Sequence, residues 1–269
     1  MSPQAARQES AIPPRAEREK SAVSPHPTVL VVGGTGRTGG RVVTQLLERG
    51  VAVRAIVRSA ERLPEGALGN PLLTVVEADL LSMPGEDLQR HLDGCGAVIS
   101  CLGHVINVGG IFGPPRDLVV RAATRLCSAV EAMHPASPVR FILMSSVSVN
   151  QPTHADRRRG AFEKACLWVL SGLVPPSKDN QRAADFLARE IGTTSPSVEW
   201  VVVRPDSLLE GDVSEYRVHD QLVTSLFKPG KTARANVAHF MCELATVQET
   251  WGAWAGRMPV IVNVTVAEG

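Results

Sequence analysis

The sequence of 269 residues predicts an α/β fold, a doubly wound and mainly parallel sheet with helices on both faces. Two observations predict it. Apolar runs of strand length alternate with segments whose apolar residues recur at the helical period. The first run, 28–33, is continuous and rich in Val, as in a parallel strand buried on both faces, and a glycine-rich turn joins it to the first helical segment. Such alternation indicates right-handed strand–helix–strand crossovers.

The predicted elements begin near Thr28 and continue to the last apolar run. The helix after the first strand places Val42, Val43, Leu46 and Leu47 on one face and stops at Gly50. Further strands are predicted, in order, at 51–57, 72–79, 96–103, 139–146, 200–205 and 259–264. Further helices are predicted over about 116–133, 179–191 and 235–247.

The chain divides into a tail and one domain. Residues 1–27 are polar and proline-bearing and lack the apolar stretch of a secretory signal, so we expect a disordered tail. A transit peptide is the alternative, and Glu9, Glu17 and Glu19 argue against it. Residues 28–269 are expected to form a single domain. Segments of about 147–178 and 206–232 interrupt the strand–helix alternation, each after a predicted strand. Insertions at the carboxyl ends of parallel strands predict a small substrate lid.

Composition excludes several classes of function. The formal net charge of +1 and the pI of about 7.7 exclude a broad basic face for nucleic acid. No apolar run approaches the roughly 20 residues needed to cross a bilayer, so we expect no membrane partner. The five cysteines form no C-x-x-C pair, which predicts a reducing, cytoplasmic location, and the seven histidines show no metal-ligand spacing, which predicts no metal. The expected partner is a small-molecule substrate, and the expected state is a monomer or homodimer.

The glycine-rich turn has the sequence G-G-T-G-R-T-G-G over 33–40, between the first strand and the first helix. Glycines there permit a tight turn and a close approach of the backbone to a pyrophosphate, and the helix supplies unpaired N–H groups. A purely structural turn is the alternative. The nucleotide interpretation predicts a set of cofactor-binding residues, namely Gly33, Thr35, Gly36, Arg37, Thr38 and Gly39.

The end of the second strand carries Arg58-Ser59, with Arg54 upstream. NAD-selective folds place an acid at this point to hold the ribose 2′-hydroxyl. A guanidinium instead binds a 2′-phosphate with two hydrogen bonds. The sequence therefore predicts NADP(H) over NAD(H), with Arg58 as the clamp. Arg37 is either a second clamp or an exposed side chain, and a solvated surface arginine is also the alternative for Arg58.

Several short motifs resemble the short-chain dehydrogenase/reductase superfamily, above all its atypical, NmrA-like branch with the biliverdin-IXβ-reductase-like enzymes. The resemblance spans about 28–265. It rests on the glycine turn, R-S at 58–59, A-D-L at 78–80, C-L-G at 101–103, M-S-S at 144–146, V-R-P at 203–205 and N-V-A-H-F at 236–240.

The resemblance implies a Rossmann-type fold and further nucleotide contacts. It places Asp79 and Leu80 beside the adenine, for which a strand-end cap by Asp79 is the alternative. It also implies that the turn after the fourth strand passes the adenine and nicotinamide riboses, and that the R-P pair after the sixth strand lies near the nicotinamide carboxamide. The residues implied at these two places are Cys101, Leu102, Gly103, Arg204 and Pro205.

The sequence departs from that family at its catalytic acid. Typical members use Tyr-x-x-x-Lys, in which the lysine lowers the tyrosine pKa so that the hydroxyl donates a proton. Tyr216 is the only tyrosine here and lies after the sixth strand, outside any such motif. Alignment puts Ser177 in place of the tyrosine and Gln181 in place of the lysine, and a shift of a few residues makes Lys178 the local cation.

The remaining candidates for catalysis lie at the predicted cleft. Ser145 and Ser146 end the fifth strand, and Ser145 is the first choice for a substrate oxygen contact, with strand-end capping as the alternative. Lys178 is a candidate donor to the substrate or the nicotinamide ribose. Asp179, next to it, is either a site residue or a helix N-terminal partner. His104, after the fourth strand, is a candidate to face the nicotinamide.

These residues predict NADP(H)-dependent reduction of a carbonyl or conjugated double bond in a small organic substrate. The substrate oxygen is held by Ser145 or Lys178, and the proton comes from water or a weak donor. Two other classes stay open. One is a non-catalytic NADP(H)-binding sensor, and the other is an isomerase, cyclase or dehydratase on the same fold.

Overall fold

The computed structural model describes residues 10–12, 27–103, 116–151, 175–225 and 229–264. In this part of the chain, nine strands form one sheet in the order β1-β9-β11-β7-β6-β5-β2-β3-β4, and β8 and β10 form a separate parallel pair. The strands are β1 (Ser10–Ile12), β2 (Thr28–Val32), β3 (Val53–Val57), β4 (Leu73–Glu77), β5 (Cys95–Ser100), β6 (Val139–Met144), β7 (Val198–Pro205), β8 (Ser207–Leu209), β9 (Tyr216–His219), β10 (Lys231–Ala233) and β11 (Val260–Asn263).

The large sheet is parallel from β4 to β11, and only β9 and β1 run antiparallel to their neighbours. The helices are α1 (Arg37–Glu48), α2 (Gly85–Leu92), α3 (Leu118–Met133), α4 (Pro175–Phe186, continued by a wider turn at Leu187–Ile191), α5 (Arg234–Thr246) and α6 (Gln248–Trp254), with a short 3-10 turn at Ala60–Arg62. The predicted α/β fold is confirmed, and every predicted strand and helix is present.

Both faces of the sheet are covered, as the continuous apolar strands predict. In β2, Leu30 and Val32 belong to a core under α2, α3 and α4, whereas Val29 and Val31 belong to a core under α1, α5 and α6. Successive side chains of a strand point to opposite faces, so a strand buried on both sides consists mostly of apolar residues. Because the strands from β4 to β11 run parallel, their carboxyl ends share one edge of the sheet, and the candidate site residues lie there.

The predicted tail contributes one short strand to the sheet, and parts of the predicted tail and lid lie outside the described residues. Ser10–Ile12 pairs with β9 as an edge strand, a pairing that the polar tail did not predict. The rest of 1–26 lies outside the described residues, so a disordered tail there stays a prediction. The same holds for 152–174 and 226–228 of the predicted lid.

The described part of the lid is organised by a buried carboxylate. Asp206 accepts hydrogen bonds from the backbone N–H of Gly230 at 2.9 Å and of Ser207 at 2.7 Å, and also from the Thr224 hydroxyl. These contacts close the segment between β7 and β10. Among the described residues, no helix is long and apolar enough to cross a membrane.

Candidate functional site

The glycine turn is seated on the turn that follows β5. Gly33 has a φ of +78°, and a Cβ there would lie 2.6 Å from the carbonyl carbon of Cys101. A Cβ on Gly39 would lie 2.1 Å from the carbonyl oxygen of Gly33. The Gly36 N–H donates to that same oxygen at 3.0 Å. Gly33 and Gly39 are therefore required by close backbone contact, so the two turns form one tightly packed unit.

The helix that follows this turn has an open positive end. No described side chain caps α1 at Gly36, and its first turn, Arg37 to Gly40, contains no acidic residue. The first N–H groups of a helix have no partner within it and carry a partial positive charge. Thr38 and Gly39 are buried beneath this end, and Thr35 is half-buried beside it. The arrangement suits an anion such as a diphosphate.

Arginines surround an open cavity beside this helix end. The cavity, of about 280 Å³, is lined by Thr35, Arg37, Arg41 and Arg62, among others. Arg62 and Arg41 were missed by the sequence analysis. Arg41 lies four residues after Arg37 on α1, so helical spacing was the available signal for it, whereas Arg62 ends the 3-10 turn that follows Arg58. Arg58 itself is exposed directly after β3.

Arg54 lies within β3, and its side chain binds backbone carbonyl groups away from the glycine turn. Its Nη1 donates to the carbonyl oxygen of Asp93 at 3.0 Å and also contacts the carbonyl of His91. These carbonyls lie in the last turn of α2 and directly after it, before β5, at the edge of the sheet opposite the glycine turn. Arg54 therefore secures the connection into β5.

Asp79 follows β4 and makes a local turn. Its Oδ1 accepts the N–H of Leu81 at 2.9 Å, and its side chain is exposed. This hydrogen bond is the kind that the strand-end alternative predicted. Leu80 beside it is buried in the core. Both residues lie at the same sheet edge as Arg58, so adenine contact stays a prediction.

The turn after β5 is held by its backbone. The N–H of Cys101 donates to the carbonyl of Val32 at 2.9 Å, and burial raises the pKa of the Cys101 thiol. Burial likewise raises the pKa of Cys242 to about 12. Both thiols are protonated at neutral pH and are poor nucleophiles. Leu102 is half-buried, Gly103 is exposed, and His104 lies outside the described residues.

The two serines after β6 differ in what their hydroxyls do. The Ser145 N–H donates to the carbonyl of Val203 at 2.8 Å, but its buried Oγ has no hydrogen-bond partner within the described chain. The Ser146 Oγ shares a hydrogen bond of 2.6 Å with the Ser148 Oγ. Buried hydroxyls normally have partners. Ser145 therefore offers an uncommitted donor and acceptor at the carboxyl edge of the sheet.

The first turns of α4 lie where the family has its Tyr-x-x-x-Lys motif, and their side chains bind the backbone of neighbouring elements. The buried Asp179 accepts the N–H groups of Val119 at 2.8 Å and Val120 at 3.0 Å, so it caps α3 rather than its own helix. Gln181 exchanges two hydrogen bonds with the backbone of Asn150, at 2.8 and 3.1 Å. Lys178, directly before Asp179, is exposed. Of the two predicted site residues on these turns, Lys178 and Asp179, Lys178 stays a candidate for substrate contact.

Replacing Asp179 by alanine is expected to lower the free energy of unfolding by about 2–3 kcal/mol, because two buried N–H groups lose their acceptor. Asp179→Asn keeps one acceptor oxygen and is expected to cost about half as much. Urea denaturation measures both. Asp117→Ala is the control, since the half-exposed Asp117 sits at the N-cap position of α3, makes no side-chain cap there and, among the described residues, only faces Arg121, at 3.7 Å. An equal loss in both alanine variants would contradict the assignment.

Tyr216 and Arg204 are both buried and engaged. The Tyr216 hydroxyl shares a hydrogen bond of 2.8 Å with Nδ1 of His239, inside the core below α5. Arg204 donates from Nε to the carbonyl of Met258 at 2.7 Å and from Nη1 to that of Val149 at 3.1 Å. Pro205 accepts the N–H of Val147 at 3.1 Å. The side chain of Arg204 thus fastens β7 to its neighbouring loops, and a carboxamide contact by Arg204 or Pro205 stays a prediction.

Comparison with known proteins shows the family to which the chain belongs. Residues 33–248 match the model of a family described as NAD(P)H-binding. The chain is 34% identical over 209 residues to the chloroplastic Arabidopsis thaliana protein At2g34460, with 74% of this chain and 72% of that one covered.

Solved structures share the fold. The oxidoreductase ylbE from Lactococcus lactis is similar with a TM-score of 0.63 and 21% identity, over 89% of this chain and 92% of that one. A short-chain dehydrogenase/reductase from Veillonella parvula in complex with NADP is similar with a TM-score of 0.63 and 11% identity, over 89% and 95%.

Proposed function

This chain belongs to a family described as NAD(P)H-binding, and we propose that it is an atypical short-chain dehydrogenase/reductase that acts as an NADP(H)-dependent oxidoreductase. Its substrate is a small organic molecule with a carbonyl group or a conjugated double bond, and no tyrosine serves as the acid. The observation that carries the proposal is the open N-terminus of α1 behind a glycine turn that tolerates no side chain at Gly33 or Gly39.

The residues at this end of the sheet fit a dinucleotide. A diphosphate accepts hydrogen bonds from the free N–H groups at the start of α1, and the glycine turn lets it approach the backbone. The turn at Cys101, Leu102 and Gly103 is packed against Gly33, so one unit is suited to contact both the diphosphate and the riboses. Asp79 and Leu80 stand at the edge expected for the adenine.

The preference for NADP(H) rests on charge. Arg58 follows β3, and Arg62 lines the cavity that also contains Thr35 and Arg37. A 2′-phosphate would receive charge-assisted hydrogen bonds there, which a 2′-hydroxyl does not need. Arg58 occupies the position at which NAD-selective folds place an acid.

Replacing Arg62 by glutamine is expected to weaken NADPH binding by about tenfold and to change NADH binding by less than about twofold. The reason is that only NADPH has a phosphate for this guanidinium. Calorimetric titration with each coenzyme measures the difference. Arg90→Gln is the matched control, because Arg90 is an exposed arginine near the end of α2, which leads to the opposite edge of the sheet. Equal weakening of both coenzymes by Arg62→Gln would exclude a 2′-phosphate role.

The proposed chemistry places Ser145 at the substrate. When bound, NADPH supplies the hydride. Ser145 has a buried hydroxyl free to bind the substrate oxygen, and the exposed Lys178 is a second donor at the rim. A serine is a poor acid, so the proton is expected from water. This suits substrates whose reduced anion is already stabilised, for which a strong acid adds little.

Turnover of NADPH tests the proposed function. Purified protein is mixed with NADPH and a panel of quinones, enones and flavins, and the absorbance of the reduced nicotinamide is followed. Oxidation that depends on one acceptor supports the proposal. Tight NADPH binding without oxidation of any acceptor favours the second candidate below, and a substrate converted without change of mass indicates an isomerase. Absence of binding to either coenzyme would refute the nucleotide site itself.

The second candidate is a non-catalytic NADP(H)-binding protein. One observation favours it, namely that Asp179, Gln181 and Tyr216 all serve the packing of the fold. A protein that only binds the coenzyme does not need the catalytic tyrosine, so its absence does not impair the function. A cytoplasmic location and a monomeric or homodimeric state stay predictions, and the Arabidopsis relative is named as a chloroplastic protein.

A further inference from the structure

Three arginines converge on one carboxylate beside the glycine turn. The Glu210 carboxylate accepts hydrogen bonds from Arg41 Nη2 at 2.7 Å, Arg234 Nη1 at 2.9 Å and Arg37 Nη1 at 3.4 Å. Arg37 begins α1 and Arg234 begins α5, whereas Glu210 directly follows β8 in the lid. The contact therefore joins the lid to the start of two helices.

The local charge is unbalanced. Three guanidinium groups share one negative side chain, and the first turns of α1 and α5 contain no acid. Burial lowers the pKa of Arg234, and repulsion from Arg37 and Arg41 adds to this while Glu210 opposes it. Arg234 is only 9% exposed, while Glu210 is 53% exposed. A more highly charged anion than a carboxylate would thus be favoured at this place.

We propose that Arg37, Arg41 and Arg234 form an anion site for the diphosphate of the dinucleotide, and that Glu210 competes with the diphosphate for it. This rests on the proposed function, because it assigns further residues to the same nucleotide. Diphosphate binding would draw Arg37 and Arg41 away from Glu210 and so release the exposed lid residues 210–213, whereas Ser214 stays hydrogen-bonded to Asn236. The arginines thereby couple occupation of the site to the position of the lid.

Of the two phosphate groups of NADPH, the diphosphate and the 2′-phosphate, the diphosphate is expected at Arg37, Arg41 and Arg234. Arg37 and Arg41 lie on the first two turns of α1, whose N–H groups are the expected diphosphate donors. The 2′-phosphate is expected on the other side of the cavity, at Arg62 in its wall and at the exposed Arg58 after β3. Because NADH and NADPH share the diphosphate, Glu210 is expected to affect both coenzymes equally.

Replacing Glu210 by glutamine tests the competition. Glu210→Gln is expected to tighten the binding of NADPH and of NADH by about fivefold each, since a competing charge is removed at an exposed site. Asp212→Asn is the matched control, because it removes the same charge from an exposed residue two positions along. The control is expected to change either affinity by less than about twofold. Calorimetric titration measures all three proteins.

Each outcome decides the proposal. If Glu210→Gln binds the coenzymes with unchanged or weaker affinity, the proposal is overturned. It is also overturned if Asp212→Asn tightens coenzyme binding as much as Glu210→Gln does, because that would show a general charge effect. Tightening of NADPH alone also overturns it, because the competitor would then be the 2′-phosphate. If the unmodified protein binds neither coenzyme, the proposed function fails instead. Glu210→Ala repeats the test and is expected to give the same result as Glu210→Gln.

Discussion

Replacing Gly39 by alanine is expected to weaken NADPH binding by about a hundredfold or more. The added Cβ would lie 2.1 Å from the carbonyl oxygen of Gly33 and 3.1 Å from the Cβ of Cys101. The first contact is with backbone, which cannot rotate away as a side chain does. The turn must therefore shift, and the N–H groups at the start of α1 lose their arrangement around a diphosphate.

The control for this substitution is Gly252→Ala. Gly252 also lies in a helix, α6, but no described atom lies within 4 Å of the position that an added Cβ would take. That variant is expected to bind NADPH normally and to gain about 0.5–1 kcal/mol of stability, because alanine favours a helix over glycine. Calorimetry gives the affinities, and thermal unfolding monitored by circular dichroism shows that both variants are folded. Normal NADPH affinity in folded Gly39→Ala would contradict the proposed cradle.

Replacing Ser145 by alanine is expected to lower the turnover number by about a hundredfold, as for loss of one donor to a developing oxyanion. Stability is expected to change little, because the Ser145 Oγ has no partner in the described structure to lose. The combination distinguishes a site residue from a structural one. The measurement is steady-state oxidation of NADPH with the acceptor that the panel identifies, together with thermal unfolding.

Ser100→Ala is the matched control for Ser145. Ser100 ends the neighbouring strand β5, and its buried Oγ also lacks a partner among the described atoms. Its paired neighbours Val32 and Leu143 belong to the apolar core, so its hydroxyl serves no proposed contact. Turnover in this variant is expected to stay within about twofold of the original. Equal loss in both variants, or none in Ser145→Ala, would remove Ser145 from the mechanism.

The strands were predictable because their signal is local. Burial on both faces selects a continuous apolar run, and β2 and the central residues of β5 and β7 each show one. The helix α2 was missed because only Leu88 and Leu92 of its eight residues are buried, too few to establish a period. The antiparallel strand β9 was missed for a similar reason, since it has four residues, of which Tyr216 and Val218 are buried.

The site was predictable where its residues are neighbours in sequence. The glycine turn and Arg58 follow directly from their place after a strand. Asp179 could not be assigned in this way, because its partners Val119 and Val120 lie about sixty residues earlier. The contact between Arg37 and Glu210 joins residues that are 173 positions apart. Such pairings depend on how helices pack, which a single sequence does not reveal.

The two hydrogen bonds between Gln181 and Asn150 limit how this protein could be redesigned. Installing a lysine at position 181, to recover the usual tyrosine partner, would remove the Gln181 oxygen that accepts the Asn150 N–H, because an ammonium group accepts no hydrogen bond. Acid catalysis and this contact thus demand different side chains at one position. An engineered route back to a phenolic donor must first supply another acceptor for that N–H.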